Sequence, residues 1–147
     1  MTRVGAAALL ALTATLTADL AATLPAAAQT APAQAMPAQS DEELFAEGRG
    51  VFQRCQACHV VNAEQNRVGP HLVGLFGRVS GTVEGFRYSD VMIEAEIVWD
   101  EETLAAYLAN PREYLPGNRM AFPGLADEDA LAALLVYLRE ATVVPVE

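Results

Sequence analysis

Cys55, Cys58 and His59 fall within one short run, "RCQACHVV", and they include both cysteines and one of the two histidines of a 147-residue chain. A C-x-x-C-H run suits three chemistries: a redox disulfide, a metal site, or covalent attachment of haem. A bridge between cysteines so close in sequence restricts the unfolded chain very little, so a structural disulfide is a weak use of the pair. A thioredoxin-like dithiol belongs in a βαβ, cytosolic setting, and neither is visible in the sequence. A structural zinc site takes four ligands, and His71, across a glycine-rich loop, is the only other Cys or His. Haem fits best. Two thiols add across the vinyl groups of the porphyrin, and the histidine that follows donates an imidazole nitrogen to the iron as proximal ligand.

The sixth position on such an iron decides what the site does. Left open, it binds or activates a gas. Filled by a methionine thioether opposite histidine, it raises the potential and marks electron transfer. Of the four methionines, Met1 and Met36 fall outside the expected folded part. Met120 lies in "PGNRMAFPG", a loop bracketed by Pro and Gly that can aim a side chain at a cofactor. Met92 follows "YSDV" in an expected short helix, where methionine commonly fills the core. Position favours Met120 over Met92.

The surrounding elements read as helices and loops. "SDEELFAEGRGVFQRC" opens with Ser40 and has Glu43 three places later, a capping box. Leu44, Gly48, Val51 and Phe52 then recur at helical spacing. Glycine within such a stripe costs about 1 kcal/mol relative to alanine, so Gly48 suggests a second helix crossing too closely for a side chain. Val68 to Tyr88 is glycine-rich without a helical period, a loop long enough that it should wrap something. "DEETLAAYLAN" is a short helix starting near Asp100 or Glu101. Asn110-Pro111 caps another. The last helix runs from roughly Asp127 to Ala141, with Leu131, Leu134, Leu135 and Leu138 as its buried stripe and Arg139 suited to its C-terminal dipole. Such a loop-rich, all-helical domain of around a hundred residues lacks apolar surface for a good core, which a large flat cofactor would supply.

The N-terminus reads as an export signal. Arg3, an Ala/Leu run from Gly5 to Ala18 and an A-x-A site describe a signal peptide at 1–28, cleaved after Ala28, with Ala35 as the alternative site. An uncleaved anchor is the rival, but a spanning helix wants roughly 20 apolar residues and Asp19 interrupts this run. An Ala/Pro/Gln-rich spacer at 29–40 leads to the domain at 41–147. The formal charge is −10, and all nine basic residues are arginine. That balance argues against nucleic acid and anionic membranes as partners.

From about Gly48 to Thr142 the sequence resembles the class I cytochromes c, mitochondrial and bacterial periplasmic. The matching phrases are "GRGVFQRCQACH", "VGPHLVGLFGR", "GFRYSD", "VWDEETLAAYLANPREYLPGNRMAFPG" and "LLVYLREAT". The resemblance implies a small all-α fold of short helices and long loops around one covalent haem c. It implies His59 and Met120 as ligands of the iron, Cys55 and Cys58 as thioether attachments, and the Pro70 carbonyl as acceptor from the His59 ring. It also implies Arg78, Tyr88 and Trp99 at the haem propionates, Tyr107 near the Met120 sulfur, Phe122 at the exposed haem edge, and Gly48 and Phe52 crossing Leu134 and Tyr137. Met92 stands where mitochondrial relatives commonly have asparagine, and Asn118 where they have threonine. Asn118 can still donate to a propionate, which methionine cannot. His71 matches no ligand position and is expected at the surface.

The function so implied is that of a monomeric, periplasmic electron carrier, not an enzyme. It would shuttle single electrons between membrane redox complexes, from a bc1-type donor to a terminal oxidase or reaction centre, with no small-molecule substrate. Arg54, Arg67, Arg112 and Arg119 are expected to form a positive rim on an acidic body, docking by steered encounter.

Overall fold

The structure, a computed structural model, describes residues 39–144. The expected leader and all but the end of the spacer lie outside the described residues, as do the last three residues of the domain.

Among the described residues, four of the five helices begin where a side chain accepts from a free N–H group, and α2 alone has no side-chain cap. Helix α1, Asp41–Phe52, carries the capping box: Glu43 N–H donates to Ser40 Oγ at 3.3 Å, and Ser40 N–H donates to the Glu43 carboxylate at 2.9 Å. The Ser40 N–H and hydroxyl, both donating to that carboxylate, hold the Glu43 carboxyl below its ordinary pKa. Helix α2, Asp90–Glu94, is a single short turn holding the buried Met92. Helix α3, Glu101–Ala109, is capped by Asp100, whose carboxylate accepts from Thr103 N–H at 2.8 Å. Helix α4, Pro111–Tyr114, has Asn110 as cap and Pro111 at its first position. The last helix, α5, covers Glu128–Ala141. Asp127 stands just outside it as the cap, because its carboxylate is occupied by Ala130 N–H.

Helices α1 and α5 cross at Gly48. A Cβ there would overlap the Ala133 carbonyl and stand 2.8 Å from Tyr137 Cβ. The close crossing is therefore what the glycine permits. The expected partner Leu134 is not the nearest neighbour, since the backbone of Ala133 takes that place. Leu134 instead turns into the core, 1% exposed, with Phe52, Leu135 and Leu138. Leu131 only borders that core. The Phe45 and Phe52 rings each lie 5.2 Å from the ring of Tyr137. Arg139 reaches across to an ion pair with Glu101 at the start of α3.

The chain from Gln53 to Ser89 forms no helix, and among the described residues only an isolated bridge pairs Val79 with Val98. This long segment is fastened at intervals by backbone bonds: Leu72 N–H to Val60 O, Gly74 N–H to Thr142 O, and Trp99 N–H to Arg78 O. Asn66 ties two of its turns together, donating to Glu84 O at 2.9 Å and accepting from His71 N–H at 3.1 Å. His71 is half-buried rather than superficial, and its Nδ1 is sealed from solvent with no hydrogen-bond partner. The Asn66 bond draws its backbone inward. Among the described residues no helix is long and apolar enough to cross a membrane.

Candidate functional site

The loops and helices enclose a largely apolar cavity of about 360 Å³. At the end of α1 the chain coils through successive turns, with Cys55 N–H donating to Phe52 O, and Cys58 and His59 N–H both donating to Cys55 O. That coil brings Cys55, Cys58 and His59 to one cavity. Both thiols are free and half-buried. Burial pushes the Cys55 thiol upward, against a smaller opposing pull from Arg54.

His59 is aimed from behind. Its Nδ1–H donates to Pro70 O at 2.7 Å, which fixes the tautomer and leaves Nε2 as the free nitrogen. Burial holds the imidazole below its ordinary pKa, the Pro70 bond opposing it, which favours the neutral ring that can ligate. Gly69 backs the same ring: a Cβ there would stand 2.8 Å from each ring nitrogen. Sequence reasoning missed Gly69, although its place directly before Pro70 is a usable sign of a tight approach.

Arg78, Tyr88, Trp99 and Tyr107 reach the same wall, as do Pro70 and Met120. The Arg78 guanidinium donates to Val73 O at 2.9 Å and His71 O at 3.2 Å. No carboxylate pairs with it among the described residues, where the only ion pair is Arg139–Glu101. A half-buried cation held only by carbonyls wants an anion. Trp99 is buried, its ring 5.1 Å from Tyr107. The Tyr107 hydroxyl lies 3.9 Å from the Met120 sulfur and 3.4 Å from Asn118 Oδ1. Burial raises its pKa to about 12, so it keeps the one proton it shares between them.

Met92 lines the cavity as well as Met120. Their surroundings differ: Met92 belongs to the packed core on α2, whereas the Met120 sulfur has a phenol donor and its N–H is held by Asn118 at 3.0 Å. Asn118 is the one expected cofactor contact absent from the cavity wall. Both its amide hydrogens are engaged, donating to Pro111 O at 2.7 Å and Leu115 O at 2.8 Å, which leaves it no donor for a propionate.

Of the expected arginine rim, Arg54 and Arg119 border the cavity, and Arg87, which sequence reasoning passed over, joins them. Arg67 borders a neighbouring polar hollow and donates to Gln56 O, while Arg112 is exposed on α4 and borders neither. The mouth also carries Phe122, Ala121 and Val68, the last 80% exposed.

An apolar cavity that gathers two free thiols, a neutral imidazole, a thioether and an unpaired guanidinium fits a covalently attached haem and its carboxylates. All-helical architecture around such a cavity defines a c-type cytochrome. Residues 45–142 match the family model of cytochrome c, and the chain belongs to that family, as a class I member. It is 48% identical over 88 residues to cytochrome c2 iso-2 of Magnetospirillum molischianum, which covers 60% of this chain and 91% of that one. It is 42% identical over 115 residues to cytochrome c2 of Blastochloris viridis, covering 78% and 85%. Cytochrome c of Chlamydomonas reinhardtii is 48% identical over 100 residues, covering 67% and 89%. The chain is thus an electron carrier and not an enzyme, and its prosthetic group is covalently bound haem c with iron.

Proposed function

We propose that this cytochrome is an exported monohaem carrier in which His59 and Met120 ligate the iron and Cys55 and Cys58 carry the thioether bonds. The observation that carries the reading is the convergence of the C-x-x-C-H coil and the Met120 sulfur, with its Tyr107 donor, on one apolar cavity. Haem c supplies an iron that alternates between ferrous and ferric. The protein's part is to keep that exchange cheap. Pro70 and Gly69 hold the His59 ring in one orientation, Tyr107 keeps a protonated donor beside the sulfur, and the apolar wall excludes water. Arg78, Tyr88 and Trp99 are the groups we assign to the propionates.

Electrons pass to and from other redox proteins. We assign these to membrane redox complexes in the periplasm, a bc1-type donor and a terminal oxidase or reaction centre acceptor. The monomer would meet them through the cavity mouth. Arg54, Arg87 and Arg119 there make a local positive rim on a chain of formal charge −10, suited to steered, short-lived docking. Export rests on the leader at 1–28, removed after Ala28, with 29–40 as a spacer before the domain.

The test is the visible spectrum of the purified protein with reductant and carbon monoxide. A filled sixth position gives a ferrous spectrum that carbon monoxide leaves unchanged, and a ferric sulfur-to-iron band at the red end. Carbon monoxide binding at once to the untreated protein contradicts the ligation. The mass of the mature protein checks export: it equals residues 29–147 plus one haem if the leader is cut after Ala28.

A further inference from the structure

We infer that Asn118 is a positioning residue for Met120, a four-bond clamp that sets how readily the sulfur leaves the iron. The inference rests on Met120 being the ligand. Asn118 uses the full capacity of its amide. One N–H donates to Pro111 O at 2.7 Å and the other to Leu115 O at 2.8 Å. Its Oδ1 accepts from Met120 N–H at 3.0 Å and lies 3.4 Å from the Tyr107 hydroxyl.

The anchors on the two sides of this amide are different. Pro111 opens α4 and Leu115 caps its end, so the donor side is bolted to two carbonyls of that turn, which also accept from Leu115 N–H and Asn118 N–H. The acceptor side holds the backbone of the ligand loop two residues on, the geometry by which asparagine makes a turn from its own side chain. The chain from Asn118 to Met120 is further pinned at its start, where Asn118 N–H donates to Leu115 O at 3.2 Å. Asn118 Oδ1 thus connects α4, the Tyr107 phenol of α3 and the Met120 backbone through one atom.

Withdrawal of the Met120 sulfur by a movement of its loop breaks the Met120 N–H bond and the Tyr107 contact to the sulfur, and a half-buried amide oxygen loses a donor. Each such bond is worth roughly a five- to ten-fold factor in an equilibrium. An asparagine on the cavity wall, bonding a propionate, would act on the haem; this one acts on the ligand's residence.

The experiment compares Asn118→Val with Asn118→Thr in the mature ferric holoprotein. The two are nearly equal in size, and only threonine keeps a hydroxyl able to accept from Met120 N–H and donate to one carbonyl. Imidazole, which must displace the sulfur to bind iron, is titrated while the sulfur-to-iron band is followed. The valine protein should bind imidazole on the order of ten- to a hundred-fold more tightly than the parent, with the threonine protein between them. A valine protein that merely unfolds at lower temperature, with the parent's imidazole affinity, overturns the clamp. If the valine protein fails to mature, Asn118→Ala, which also lacks an acceptor for Met120 N–H, takes its place against the threonine and parent proteins. An alanine protein with the parent's imidazole affinity overturns the clamp equally. Met120→Ala separates the two levels: it should lose the band and bind imidazole tightly. If it keeps the band, the ligand assignment itself has failed. If it loses the band while residue 118 has no effect on imidazole, only the clamp has failed.

Discussion

The crossing of α1 and α5 and the segment that carries Met120 are held by opposite means. At the crossing, backbone meets backbone over Gly48, flanked by the rings of Phe45, Phe52 and Tyr137. Shape and apolar burial do the work there, and among the described residues no ion pair joins the two helices. The 110–120 segment has one short helix of four residues and depends on polar bonds from Asn110, Asn118 and Tyr107. The first region sets whether the protein stays folded. With Met120 as the proposed ligand, the second sets how the iron's sixth position is filled, at little cost to folding. Division of this kind lets ligand strength vary without endangering the scaffold.

Substitution at Gly48 should break the comparison most severely. Alanine there gains about 1 kcal/mol by helix propensity, yet its Cβ overlaps the Ala133 carbonyl. Overpacking against backbone outweighs that gain, for a net loss of about 2 kcal/mol in guanidinium unfolding of the holoprotein. Equal or greater stability in Gly48→Ala would mean that the helices do not meet as described.

Tyr107→Phe probes the other region. It removes one hydroxyl whose two contacts are long, so stability should fall by no more than about 1 kcal/mol. The ferric sulfur-to-iron band should nonetheless shift or weaken. A large stability loss with an unchanged band would reverse the roles of the two regions.

Smaller effects come from the helix starts. The Glu43 and Asp100 carboxyls are both held below their ordinary values by cap hydrogen bonds. A depressed carboxyl stabilises the fold above its unfolded pKa, and that contribution is lost as pH falls through the lower, folded value. Acidification below about pH 4 should therefore fray α1 and α3 at their first turns. In Ser40→Ala the Glu43 carboxyl should titrate closer to its ordinary value, as read by NMR. Least of all should matter the Arg139–Glu101 pair, whose side chains are 52% and 62% exposed. A double-mutant cycle should return a coupling below about 0.5 kcal/mol that fades with added salt.

Legibility in the sequence followed the range of the interactions. Caps at Ser40 and Asn110 were readable because cap and partner are three residues apart. The C-x-x-C-H coil was readable for the same reason. Gly48 betrayed a long-range contact because it breaks an apolar stripe at a known period. Asn118 was read as a possible donor to a propionate, and its bonds to Pro111, Leu115 and Tyr107 were not legible because those partners come together only once α3 and α4 are folded. His71 was expected at the surface because nothing local shows that Asn66 draws it in. Position in the chain favoured Met120 over Met92, yet both line the cavity, and the Tyr107 hydroxyl that distinguishes them lies 13 residues away from Met120. Arg112 was placed on the rim through a resemblance that fixes chain position, whereas the cavity mouth is set by tertiary packing.

The most direct measurement is the spectrum of mature Met120→Ala beside the parent protein, ferric first and then ferrous under carbon monoxide. Ligation by Met120 predicts that the variant loses the sulfur-to-iron band and binds carbon monoxide readily, while the parent shows the band and binds none. A variant that keeps the band and still refuses carbon monoxide would contradict it and return Met92 to consideration.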